Sequence, residues 1–414
     1  MGRGHAHAHR AQDDLDDVEV HRLPRTVLLA ALALAAVATV VGLVALWPDG
    51  ARVDELRSSA RFTAPGTTFP DAVVDRVEPP CEQDAATGGA GTGERARCGR
   101  IHASVASGPD EGTLVRVDVP PQVSESGLSA GDRIRLLAPH VAAGDPPVFS
   151  YFGTERSGSL WLLALAFAVV VVAVARLRGV FAILGLAFSG LVLWKFVLPA
   201  LLVGESGLLV ALVASAAIMF VVLYTTHGFS IRTSAALAGA LAGVAITAAI
   251  AILSVRSTHL TGVDDESGGV LFGHVGDISF QGLLTCAIII AGLGVLNDVT
   301  ITQASAVWEL RGAAPDLSRR TVFARGMRIG RDHIASTIYT IVFAYAGTAL
   351  TVLLVIQLYD RSLVDLLVTE EIGQEVVRAL VSSIGLVLAV PLTTAIATLT
   401  LPGARSGSAS EHQG

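Results

Sequence analysis

Long apolar stretches alternate with polar segments along most of the chain. A helix needs about 20 mostly apolar residues to cross the hydrocarbon layer of a bilayer, and eight stretches approach or exceed this length. Numbered in chain order, the eight predicted spans are residues 26–47, 160–175, 180–203, 208–224, 235–255, 280–301, 334–358 and 376–401. The first could instead be a signal peptide. Its apolar run exceeds the usual signal core of roughly 7–15 residues, so an uncleaved anchor is our interpretation.

Two spans contain residues that disturb a regular helix. Lys195 and Pro199 lie in the second half of span three, which either crosses fully or is a broken helix. A break is compatible with lipid only where the freed backbone groups face protein or water. Pro391 lies inside span eight, and we expect it to break the helix there, because proline lacks the backbone N–H.

Residues 48–157 differ in composition from the spans and are rich in Pro, Gly, Asp and Arg. Alternating apolar and polar residues between turn signals predict four strands, at residues 71–77, 100–107, 113–119 and 132–137. We expect a small β domain, with an OB-like barrel as first choice and a sandwich as the alternative. Cys81 and Cys98 flank a glycine-rich insert in this segment. On an oxidising side of the membrane they would form a disulfide worth roughly 3 kcal/mol, and otherwise they are two free thiols.

Charged residues between the spans predict the orientation, because Lys and Arg are enriched in cytoplasmic loops. Arginines precede span one, follow spans two and four, and are concentrated after span six, whereas the intervening loops are mainly acidic. Both termini are therefore expected in the cytoplasm. The predicted organisation is a disordered cytoplasmic tail (1–25), an anchor (26–47), an extracytoplasmic β domain (48–157), a seven-helix membrane domain (158–401) and a second cytoplasmic tail (402–414).

Composition agrees with an all-α polytopic membrane bundle of about eight transmembrane helices that carries one small extracytoplasmic domain. Hydrophobic residues make up 52% of the 414 and charged residues 16%, against about 25% charged in a typical soluble domain. Basic residues do not alternate with aromatic ones, so no nucleic acid is expected as a partner. No zinc spacing, P-loop, nucleophile elbow, HExxH or dinucleotide fingerprint occurs. We therefore expect no catalytic site, metal or cofactor, and no enzyme.

Polar residues within the spans are the candidate functional residues, since a charge in the hydrocarbon layer is costly. Asp298 is the first candidate, with Asn297 and Gln303 near it in sequence. It either relays a proton or cation, or contacts a substrate while facing the bundle interior, or is an interfacial carboxylate. Lys195 either needs a partner or extends its long side chain to the interface. Together these four residues form a hypothetical solute or ion path.

Three segments resemble the YibE/F-like family of bacterial multi-pass membrane proteins. They are THGFSIRTSAALAGALAG at 226–243, GLGVLNDVTITQASAVWEL at 292–310, and GRDHIASTIYTIVFAYAGTALTVLL at 330–354, and the external segment 131–156 is similar as well. The resemblance extends over about residues 65–400. It places Asp298, Ser305 and Glu309 in the family's span-six pattern, and Gly330, Asp332 and Tyr345 in its span-seven pattern. Asn297 departs from the apolar or small residue expected beside Asp298. The resemblance implies an architecture and no particular activity.

The size of the bundle and its polar residues favour a permease or transport-related protein for a small solute or ion in the cell membrane. The alternative is a scaffold or sensor that does not transport and that binds a partner through its extracytoplasmic domain. An intramembrane enzyme is a weaker third possibility. Sequence alone names no substrate, coupling ion, protein partner or oligomeric state.

Overall fold

The structure, a computed structural model, describes residues 22–59, 66–78, 99–141, 146–263, 269, 271, 273, 278–358 and 363–403. Cys81 and Cys98 lie outside these residues, so their disulfide remains a prediction. The chain divides into two compact units, one of Arg57–Val171 and one formed by Met1–Leu56 together with Val172–Gly414. We call them the sheet unit and the helical unit.

The described strands are β1 (Asp71–Glu78), β2 (Arg100–Val105), β3 (Leu114–Asp118), β4 (Arg133–Leu137) and β5 (Ser150–Thr154). The described helices, in chain order, are α1 (Arg22–Ala45), α2 (Gly50–Ser59), α3 (Pro121–Ser124), α4 (Ser157–Val192), α5 (Leu198–Leu202), α6 (Gly207–His227), α7 (Ile231–Ser257), α8 (Phe280–Ala291), α9 (Leu293–Ala313), α10 (Arg319–Thr348), α11 (Leu350–Leu358), α12 (Leu363–Leu367) and α13 (Glu370–Thr400). A π-helical turn, Leu193–Val197, joins α4 to α5.

The sheet unit contains one antiparallel sheet with the strand order β3-β2-β1-β4-β5. Three consecutive strands followed by a fourth that returns beside the first make a Greek key. Alternate residues point to one face, and this face is buried at Ala72, Val74, Ile101, Ala103 and Ile134. The four predicted strands are confirmed. The fifth, β5, was missed because SYFGT follows a run of Gly and Pro and shows almost no alternation.

Six described helices of the chain are long and apolar enough to cross a membrane: Leu23–Ala45, Ser157–Leu202, Gly207–His227, Ile231–Ser257, Phe280–Ala313 and Glu370–Thr400. Five of them correspond to predicted spans one, four, five, six and eight. The 46-residue segment Ser157–Leu202 contains predicted spans two and three. Its backbone leaves helical geometry at Arg176 (φ 55°, ψ −133°), between the two.

Predicted span seven is divided between α10 and α11, and neither is counted among the six. The reason is local composition. The first half of α10 is rich in arginine, and α11 has only 9 residues. The predicted number of eight spans is therefore not confirmed by the length and hydropathy of the individual helices.

The break predicted at Pro391 is wrong, because α13 continues through it from Glu370 to Thr400. A proline removes one backbone hydrogen bond, and α13 packs on α7, α9 and α10 over most of its length. In span three the helix is distorted but continues. Pro199 cannot donate to the carbonyl of Lys195, four residues earlier, and the helix widens there into the π-helical turn.

Small residues let α7 and α13 approach closely in opposite directions. A Cβ added to Gly239 would overlap the hydroxyl of Thr393, and a Cβ added to Gly385 would overlap the hydroxyl of Thr247. Each helix thus presents a glycine to a threonine of the other, one at either end of the contact. Gly239 and Gly243, both in predicted span five, therefore lie in close contact with neighbouring helices. Such close backbone approach is the usual basis of helix association in membranes.

Candidate functional site

An acidic and an imidazole side chain meet on neighbouring antiparallel helices of the helical unit. Oδ2 of Asp298 on α9 lies 3.9 Å from Nε2 of His333 on α10. The Asp298 side chain is 69% exposed and that of His333 33% exposed. Asp298 is therefore not enclosed by the described part of its own bundle. Its position at the outer edge of α9 explains the exposure, because the α10 helix covers only one side of it.

This pair lies near the middle of the helical unit along the helix axes. Gly243 is next to the centre of α7 (Ile231–Ser257). A Cβ added to Gly243 would meet Leu296 of α9, so Leu296 lies at the same level as the centre of α7. Asp298 follows Leu296 by two residues, a rise of about 3 Å. A carboxylate that far from both helix ends is deep in the hydrocarbon layer if α7 crosses it.

One face of α9 consists of small, polar and charged residues. These are Gly294, Asp298, Thr302, Ser305 and Glu309, all exposed or partly exposed, which follow one another at intervals of three or four residues and so lie on one face. We call them the outer stripe. Apolar residues beside it, including Val295, Ala306, Trp308 and Leu310, are partly exposed. Within residues 280–313, all of which are described, no large hydrophobic side chain is exposed. By contrast, α4 exposes mainly Leu, Val, Phe and Trp, as expected of a surface that contacts lipid.

The other predicted path residues take different positions. Asn297 is half-buried, and its Oδ1 is buried without a hydrogen-bond partner among the described residues. Gln303 is buried and donates to the carbonyl oxygen of Gly326 at 2.9 Å and to Oγ1 of Thr394 at 2.7 Å. It therefore joins α9, α10 and α13 in the core. Lys195 is exposed in the π-helical turn Leu193–Val197, whereas the other three residues all lie on α9.

Neither His333 nor the outer stripe as a whole is among the residues predicted from the sequence. Asp298 is 35 positions earlier in the chain than His333, and only the antiparallel packing of α9 on α10 brings the two together. The stripe had a visible signal. Asp298, Thr302, Ser305 and Glu309 are polar or charged residues that recur with a period close to 3.6.

The sheet unit has a separate cluster of charges on its exposed face. Oε1 of Glu78 lies 2.9 Å from Nη2 of Arg76 and 2.8 Å from Nε2 of His102, and Oε2 lies 3.5 Å from Arg100. The hydrogen bond from His102, aided by the nearby guanidinium groups, lowers the pKa of the Glu78 carboxyl. The charged form is favoured because its partners are cationic or hydrogen-bond donors.

A groove of about 580 Å³ adjoins this cluster, and Arg76, His102 and Arg116 line it with Asp75 and Leu114. The three basic residues face one another in register across β1, β2 and β3. The groove therefore offers one row of basic side chains, of which Arg76 and His102 already contact Glu78.

Comparison with known proteins gives one family. The family model described as YibE/F-like protein matches residues 163–403, which include every helix from most of α4 to α13. The match does not include the external segment 131–156, so the resemblance is shorter than the sequence motifs indicated. No curated protein and no solved structure matches the chain. Because the matched residues make up more than half of the sequence, the chain belongs to the YibE/F-like family.

Proposed function

We propose that this protein is a permease or transport-related protein that moves protons, or a small solute together with protons, across the cell membrane. The observation that supports it is the Asp298–His333 pair at the middle of the helical unit. A carboxylate and an imidazole at such depth cost several kcal/mol unless water, an ion or protein surrounds them. Both groups also exchange protons, which suits a relay.

The outer stripe indicates where the proton path would continue from the Asp298–His333 pair. Toward the end of α9, the outer stripe continues through Thr302 and Ser305 to Glu309. Hydroxyl and carboxylate groups at these intervals can hold a file of water. The buried Oδ1 of Asn297 adds an acceptor beside Asp298.

The test is proton flux into proteoliposomes that contain a trapped pH-sensitive dye, with an imposed potential as driving force. The Asp298→Asn variant keeps the shape and removes the titrating group. We expect it to keep the thermal stability of the parent and to lose at least about 90% of the flux, because a relay group contributes through its proton. The matched control is Asp316→Asn, an exposed carboxylate in the loop before α10, which should leave the flux unchanged. Equal flux in the parent protein and in protein-free liposomes would refute proton transport.

The finer architecture belongs to the same proposal. A crossing needs about 20 residues, so the 46 residues of Ser157–Leu202 are enough for two crossings, and the irregular backbone at Arg176 separates them. With α10 and α11 taken together as a further crossing, there are eight. Both termini are then cytoplasmic, and the arginine-rich start of α10 lies inside, as the positive-inside rule favours.

For the sheet unit we propose an OB-like barrel. Its Greek-key order is completed by contact between the edge strands β3 and β5, and the short helix α3 lies between β3 and β4 in sequence. An OB fold is a five-stranded, partly open Greek-key barrel. We place this unit outside the cytoplasm, between the first two crossings.

The groove lined by Arg76, His102 and Arg116 supports a second candidate, a sensor or scaffold that binds an anionic partner through the sheet unit. The two functions separate on their variants. A sensor should lose its cellular phenotype with Arg116→Ala and keep it with Asp298→Asn. A transporter should behave in the opposite way.

A further inference from the structure

The outer stripe leaves charged groups exposed in the middle of the helical unit, where lipid would surround a single chain. The stripe lies on α9, and the neighbouring edge of α10 adds Arg325, Ile329, His333 and Ser336, which are exposed or partly exposed. Ile329, 43% exposed, is a large apolar side chain among these polar ones. Membrane helices that contact lipid expose large apolar side chains, as α4 does. Small and polar residues instead predominate where helices contact other helices. This edge of the bundle is therefore shaped for protein contact.

The charges on this face are of both signs and come in pairs of similar depth. Asp298 and His333 lie at one level, 3.9 Å apart. A second level is closer to the start of α10, where Gly326 of α10 lies against Val307 of α9, so that an added Cβ on Gly326 would meet Val307. Glu309 and Arg325 are within two residues of these two positions and share that level. Both are exposed, and neither forms an ion pair with any described residue.

A two-fold axis along the membrane normal keeps each residue at its own depth. It would place Glu309 of one copy opposite Arg325 of the other, and likewise Asp298 opposite His333. In an isologous interface both copies use the same surface, so that surface must be complementary to itself. A face with charges of only one sign at a given depth would repel its own copy there. We propose that the outer stripe of α9 and the adjoining edge of α10 form the contact between two copies of this chain.

The small residues add to this complementarity. Gly294 has no atom within 4 Å of an added Cβ, so its backbone is open to a neighbouring helix. Thr302 and Ser305 can hydrogen-bond across the contact. The inference depends on membrane crossing by α9 and not on transport. It also gives the Asp298–His333 pairs of two copies one shared, lipid-free location.

The test uses two full-length copies with different tags, co-expressed in one membrane, with a photoreactive amino acid at Thr302 or at Ser305. Irradiation should give a product with the mass of two chains that carries both tags. The matched control is the same amino acid at Leu186 of α4, which is 62% exposed and should give no such product. Crosslinking of both stripe positions only to lipid, or only to a different protein, would overturn the proposal, as would an equal two-chain product from Leu186.

Charge reversal provides the second measurement. Glu309→Arg and Arg325→Glu should each abolish the two-chain product, because each places like charges opposite one another, and the double variant should restore it. The melting temperature of each variant in detergent shows whether its fold is intact. If the well-folded double variant fails to restore the product, the proposed pairing is refuted. A crosslinked protein without proton flux would refute transport and leave the contact standing.

Discussion

At the residue scale, the tightest packing depends on glycines that face threonines. Gly385 of α13 lies against Thr247 of α7, whose hydroxyl bonds to the carbonyl oxygen of Gly243 at 2.9 Å. That bond satisfies the hydroxyl within its own helix, so the threonine presents its methyl and oxygen as a fixed surface. The glycine is needed for space alone, because α13 is helical at this position.

Gly385→Ala should therefore lower the stability of the protein by about 1–3 kcal/mol, the usual cost of an overpacked contact. The overlap involves the first atoms of a side chain held by its own hydrogen bond, so it cannot be relieved by rotation of a flexible end. The measurement is the melting temperature in detergent. Replacing Thr247 with Gly in the same chain should recover most of the loss.

Gly190→Ala in α4 is the matched control, since an added Cβ there meets no atom within 4 Å. Alanine favours a helix over glycine by about 1 kcal/mol, so this variant should be at least as stable as the parent. Similar destabilisation by both substitutions would show that the α7–α13 contact is looser than described.

At the element scale, the start of α13 is tied to the segment that follows α7. Oε1 of Glu370 accepts hydrogen bonds from the backbone N–H groups of Thr261 and Gly262, at 2.7 and 3.0 Å, from Oγ1 of Thr261 and from Nε2 of Gln374. Gly262 has φ +85°, where a Cβ would be strained. One carboxylate oxygen thus fixes a left-handed turn and the first turn of a long helix.

We predict that Glu370→Ala loosens this end of the helical unit. Four donors lose a charged acceptor, and the expected cost is about 1–2 kcal/mol, since two of the four hydrogen bonds are exposed to water. Faster hydrogen exchange at the amides of Thr261 and Gly262 would report it. Glu371→Ala is the control, because Glu371 is exposed and no described residue forms an ion pair with it. Unchanged exchange in Glu370→Ala would mean that these bonds contribute nothing.

The elements themselves could be predicted in proportion to the strength of their local pattern. Five of the eight spans follow from the length of their apolar runs, and four of the five strands follow from the alternation of apolar and polar residues. Span seven could not be settled, because its apolar residues are divided between the polar helix α10 and the short α11. Gln303 was expected on a path and lies in the core, since the contacts that bury it come from α10 and α13, far away in the sequence.

At the scale of the whole molecule, the number of crossings and the orientation are linked. With the N-terminus inside, six crossings would place the arginine-rich segment before and within α10 outside, and the connection between α5 and α6 inside. Eight crossings reverse both. The positive-inside rule concerns arginines close to the membrane, and α10 begins with Arg319 and Arg320. The eight-crossing arrangement is the one that keeps these charges in the cytoplasm.

Glu205, in the short connection before α6, distinguishes the two arrangements. We predict that a cysteine at Glu205 reacts with a membrane-impermeant thiol reagent in intact cells, measured as added mass over the parent chain. A cysteine at Glu371 should react as well, whereas one at Arg320 should react only after the membrane is opened. The reason is the proposed double crossing of Ser157–Leu202, which would put its irregular backbone at Arg176 on the cytoplasmic side. Labelling at Arg320 but not at Glu205 in intact cells would show a single crossing by that segment, and the acidic and basic loops would then exchange sides.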